Sequence, residues 1–177
     1  MSSNNLIIPN IRLFIFGTLR EGSRLDYYMQ GSSPHGIYYT RGQLMESAKG
    51  SAYIDNSVKE TATIGELHHI NYYFLRRIHH LENASGEFPK SYEITLVPVW
   101  NYPEDGKFTF SKDTQSYAFC YKRKSDTKVM SGDWIKKKVV LDEIERLLKT
   151  ENSKTLYHND IINHILEYLK GTDHLKL

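Results

Sequence analysis

Apolar and polar positions change their rhythm several times along this chain. Leu13-Phe14-Ile15-Phe16 is an unbroken apolar run, the pattern of a strand buried on both faces. Gly17-Thr18 stops it, and a glycine there suits a positive φ or the close approach of another backbone or a ligand. Thr61 to His68, Ser91 to Trp100 and Ser116 to Tyr121 alternate with period two and read as strands. Tyr38 to Met45 reads as a further strand, and Gly50 to Ile54 as a turn with a short strand. Phe74, Leu75, Ile78 and Leu81 return at helical spacing, so a helix is predicted over 72–81 with Asn71 as its N-cap. Leu25 to Gln30 fits a short helix broken by Gly31-Ser32-Ser33-Pro34.

The remaining segments are polar loops or helices. Met1 to Asn10 reads as a loose leader, Asn101 to Asp113 as a polar hairpin-like loop, and Lys124 to Lys128 as a turn region. Asp133 can cap a helix reaching about Thr150, and Asn159 or Asp160 a second one that Gly171 ends. Many strands first and helices last make an α+β domain.

Length and composition narrow the picture only a little. A chain of 177 residues suits one domain with a proper core. Its 13 tyrosines suggest many half-buried strand positions. With a net charge of +2, Lys122-Arg123-Lys124 and Lys136-Lys137-Lys138 read as solvated surface, so no nucleic-acid partner is expected. Cys120 is the single cysteine and lies in an alternating segment, which predicts a packed thiol, no internal disulfide and a cytoplasmic setting. Neither a targeting leader nor a membrane-length apolar run is visible, so no membrane partner is expected. His68-His69 and His79-His80 lack the i, i+4 spacing of a helical zinc site, and no metal is expected.

Two places carry candidate chemistry. Residues after Gly17 can present backbone N–H groups to an anion or a developing oxyanion, although an ordinary strand and turn would look the same. Glu82 stands at the predicted helix C-terminus, where the macrodipole disfavours its charge. It is either a functional carboxylate or an exposed one at a frayed end. Glu66, in an alternating strand, is expected to be exposed, and Glu87 either lines a pocket or does nothing. The planar fork of Arg20 suits a carboxylate, or Arg20 is a surface residue.

Phe16-Gly17-Thr18-Leu19-Arg20, with Gly22 following, resembles the Tyr-Gly-Thr-Leu-Arg/Lys-x-Gly motif of the gamma-glutamylcyclotransferase-like families. Arg41-Gly42-Gln43-Leu44, Gly65-Glu66-Leu67, Ile78 to Asn83, Tyr92-Glu93-Ile94 and Met130-Ser131-Gly132-Asp133-Trp134 resemble later family segments in the same order. The likeness spans roughly Leu13 to Trp134. It implies an α+β domain of about six strands, a small mixed β-barrel flanked by helices, over residues 11–135, with C-terminal helices at 136–177 packed on it. It implies that Glu82 is the general acid/base and that Phe16, Gly17, Thr18, Leu19, Arg20 and Tyr92 contact the substrate; burial and the helix end are expected to raise the pKa of Glu82. The implied reaction closes a gamma-glutamyl group to 5-oxoproline and frees an amine, with no cofactor. The expected partner is a small gamma-glutamyl compound, and the expected state is a monomer or weak homodimer. The gamma-glutamylamine branch is the nearest in motif. Phe16 stands where the family has Tyr, His79 where it has Asp, and Ile94 where it has Arg. The first and last of these favour the rival reading, a binding module with the same pocket.

Overall fold

The unbroken apolar run becomes a strand with a different core on each side. In the computed structural model, which describes residues 10–47, 50–82, 92–123, 142–150 and 157–172, the elements are β1 (Ile11–Ile15), a 3-10 turn (Asp26–Met29), β2 (Ser33–Arg41), β3 (Gln43–Glu46), β4 (Ala52–Asp55), β5 (Ala62–Ile70), α1 (Tyr72–Leu81), β6 (Tyr92–Asn101), β7 (Ser116–Arg123), α2 (described over 142–148) and α3 (Asn159–Thr172). Among the described residues, five strands close a mixed barrel in the order β1-β5-β2-β6-β7, and β3 and β4 form a separate two-stranded sheet. The closure is parallel, through Leu13 of β1 and Phe119 of β7, whereas β1 and β5 run antiparallel from Ile11↔Ile70 to Ile15↔Glu66.

Alternation of side chains along a strand sorts the core into two layers. Phe14 points inward with Leu67, Val97, Val99, Ala118 and Cys120. Leu13 and Ile15 point outward and share a second core with Phe119, α1 residues Leu75 and Ile78, and the C-terminal Ile144, Leu148, Ile162 and Ile165. With cores on both sides, all five positions of β1 are buried, Arg12 among them. Gly65 makes room for this arrangement: a Cβ there would strike the Ile15 carbonyl oxygen and the Phe14 ring. Tyr157 ties the C-terminal region to the barrel by accepting the Arg12 N–H at 3.0 Å. Cys120 is fully buried inside the barrel, as the alternation predicts, and burial pushes its thiol up to about 12.

Several expectations need correction. The strand predicted over Tyr38 to Met45 breaks at Gly42, whose φ is +130° and whose Cβ, if present, would meet the Ile54 side chain. β2 instead begins at Ser33, before the expected breaker has ended, and accommodates the excess chain in a bulge between Pro34 and Ile37. The segment from Asn101 to Asp113 is polar only on average. Phe108 and Phe110 pack edge-on against Tyr39 and Trp100, at centroid distances of 4.8 and 5.4 Å. α3 starts at Asn159 and runs through Gly171 to Thr172, so that glycine does not end it. The Met1–Pro9 part of the leader, Glu87, the turn at Lys124 to Lys128, the Met130–Trp134 motif, Lys136–Lys138 and the Asp133 cap lie outside the described residues. Among those described, no helix is long and apolar enough to cross a membrane.

Candidate active site

α1 carries Glu82 to its place. Asn71 caps the helix as predicted, its side chain accepting the Phe74 N–H at 2.9 Å. Phe74, Leu75 and Ile78 lie on one face and bury it against the barrel. His79 is buried on the last turn, with its Nδ1 3.0 Å from the Tyr121 hydroxyl of β7. His79 thus fixes the helix end over β7. Glu82 follows at the C-cap, donating its N–H to the Ile78 carbonyl at 2.9 Å.

The Glu82 side chain meets a cavity of about 40 Å³ lined also by Phe14 to Leu19, Ala52, Tyr92 and Tyr121. Removal from water disfavours a carboxylate, and burial raises Glu82 from the ordinary 4.5 to about 7. Burial is the cause of this rise. The cavity therefore brings a buried carboxyl beside the turn after β1.

Of the two uses expected of Gly17, that turn shows close approach and not a positive φ. Gly17 does not have a positive φ; in this stretch Gly22 does, at +79°. Gly17 is required by close approach, because a Cβ there would stand 2.9 Å from the Ala52 Cβ of β4. The Arg20 N–H donates to the Gly17 carbonyl at 3.1 Å and the Leu25 N–H to the Thr18 carbonyl at 2.9 Å. Among the described residues, no acceptor takes the N–H of Thr18 or Leu19. These two groups suit an oxyanion.

Of the residues named from sequence, Glu82, Phe16, Gly17, Thr18, Leu19 and Tyr92 come together around the cavity. Tyr92 helps close it by donating its hydroxyl to the Ala52 carbonyl at 3.4 Å. Phe16 is largely buried in the inner core, stacked on Phe14 at 6.3 Å. Arg20 is not in the cavity lining: its Nε lies 3.1 Å from Glu66 Oε1. Glu66, expected to be exposed, is mostly covered and also accepts the Glu21 N–H. Ile94 packs against the outer core and does not line the cavity. Ala52 and Tyr121 escaped sequence reasoning. Tyr121 has the outward face of an alternating strand as its only local signal, and Ala52 has none. No group of three or more metal-ligating side chains occurs among the described residues.

Residues 13–136 match the family described as gamma-glutamyl cyclotransferase, AIG2-like, and the chain belongs to that family. In structure it is similar to an AIG2-like protein from Mus musculus, with 16% identity over 66% of this chain and 79% of that one and a TM-score of 0.52. It is also similar to an uncharacterized protein from Pyrococcus horikoshii, with 19% identity over 73% of this chain and 93% of that one and a TM-score of 0.45. No curated protein matches it in sequence. The murine likeness supports the shared fold.

Proposed function

We propose that the protein is a gamma-glutamyl cyclotransferase acting on a gamma-glutamyl amine, amino acid or peptide. The observation that carries this reading is the meeting of Glu82, raised to about 7, with the Gly17–Leu19 turn in one cavity. In such a substrate the α-amine attacks its own γ-carbonyl, so the first task is to hold the folded conformer. The new N–C bond closes 5-oxoproline as the bond to the leaving nitrogen breaks. Glu82 takes the proton shed by the attacking nitrogen and returns it to the leaving one, a role worth roughly 10²–10⁴ in rate. The Thr18 and Leu19 N–H groups receive the oxyanion, each worth roughly 10²–10³. The Gly17-Thr18-Leu19-Arg20 start favours a gamma-glutamyl amine.

A second reading has specific support. Phe16 lines the cavity and brings no hydroxyl to it. This suits a module that binds a small ligand without turning it over. The test is 5-oxoproline release from gamma-glutamyl amines, amino acids and glutathione, with Glu82→Gln alongside. Release that falls at least about 100-fold in the variant is expected. Release that survives the substitution contradicts the mechanism, and silence with measurable binding favours the module.

A further inference from the structure

The turn that lines the candidate site backs onto a second cavity of about 410 Å³, walled by Leu19, Glu21, Glu66 and His68 among others. On that side the turn is held by polar contacts to β5 instead of continuous packing. Glu66 Oε1 accepts from Arg20 Nε at 3.1 Å, and both carboxylate oxygens lie 3.2 Å from the Glu21 backbone nitrogen. Charge-assisted hydrogen bonds of this kind are stronger than neutral ones. The Glu66 side chain is only 13% exposed and that of Arg20 32%, so water screens the pair less than an open surface pair. Behind Glu66, His68 Nε2 lies 3.3 Å from Oε2, and His68 Nδ1 lies 2.8 Å from Ser32 Oγ. The Ser32 hydroxyl donates to the Met29 carbonyl at 2.7 Å, which ties the network to the 3-10 turn.

We propose that Glu66 and Arg20 are positioning residues: together they clamp the Gly17–Glu21 turn so that its N–H groups face the reacting carbonyl. The proposal rests on the cyclotransferase reading, and it assigns Arg20 to the clamp and not to a substrate carboxylate. Both contacts fall on the residues immediately after Leu19, so losing them frees the donors without removing them. A donor displaced by about 1 Å can cost on the order of 100-fold in rate.

Kinetics separate the two roles for Arg20. Arg20→Ala and Glu66→Ala should each lower kcat about 10- to 100-fold with KM changed less than about threefold. The double variant should lose no more than the worse single one, because both remove one unit. Glu66→Gln, which still offers an acceptor to the Glu21 N–H, should recover part of the loss. A raised KM with unchanged kcat in Arg20→Ala, or additive losses in the double variant, would overturn the clamp. Hydrogen exchange supplies a readout independent of turnover: the Glu21 amide should exchange at least about tenfold faster in Glu66→Ala, while α1 and β7 stay unchanged. Unaltered exchange of the turn overturns the proposal even if the wild type turns over nothing. In that last case the cyclotransferase reading falls separately. If Glu66→Ala loosens the whole barrel, Arg20→Ala carries the same comparison, its side chain being the less buried of the pair.

Discussion

Glu82 is the residue whose chemistry and stability pull in opposite directions. Its carboxyl binds a proton more tightly folded than unfolded, because burial lifts it from 4.5 to about 7. The stability associated with its protonated form is therefore fully present below pH 4.5 and is lost as pH rises through about 7. That span corresponds to about 3 kcal/mol. Glu82→Gln, which does not titrate, should gain on the wild type by this order between pH 4.5 and pH 8, measured by urea denaturation at each pH. A stability difference that stays flat with pH would mean the carboxyl is not buried in solution. The helix end and the Gly-Thr-Leu turn were legible at this scale because both are local in sequence. Of the two uses that suit Gly17, close approach holds and a positive φ does not. A close neighbour such as Ala52, across the fold on β4, leaves no trace near position 17.

At the scale of elements, α1 acts as a lever whose two ends do different work. Its apolar face and Asn71 cap anchor it, and its last turn delivers Glu82 to the cavity. Asn71→Ala leaves the Phe74 N–H without its acceptor and should cost about 1 kcal/mol in thermal or chemical unfolding. The same variant should keep kcat/KM within about twofold, because the cap lies a full helix length from Glu82. A large loss of turnover with unchanged stability would contradict this division. The helix was predictable to its ends because its periodicity, cap and carboxylate all lie within one stretch. The segment from Asn101 to Asp113 was misjudged because its average polarity hides Phe108 and Phe110, whose partner Tyr39 is distant in sequence. Gly171 misled for the opposite reason: a local stop signal that α3 overrides.

The whole molecule explains why the candidate site sits where it does. β1 runs between the inner and outer cores, and the chain leaves it at Gly17, beside β4 and the end of α1. The α+β class and the two-sided burial of β1 follow from the pattern of the sequence. Barrel closure does not, because the Leu13–Phe119 pairing joins residues far apart in the chain. The division of the strands into five that close the barrel and a separate β3-β4 pair is likewise absent from the local pattern. Family resemblance bridged part of that gap, and the Glu66 network lay beyond it. Alternation placed Glu66 on an outward face without showing that Arg20 and Glu21 fold back onto it. The most direct measurement is the pH dependence of kcat/KM for 5-oxoproline release by the wild type. With Glu82 as the base, the rate should rise tenfold per pH unit below about 7 and level off above it. A profile flat between pH 5 and 8, or one whose rise persists in Glu82→Gln, contradicts the central claim.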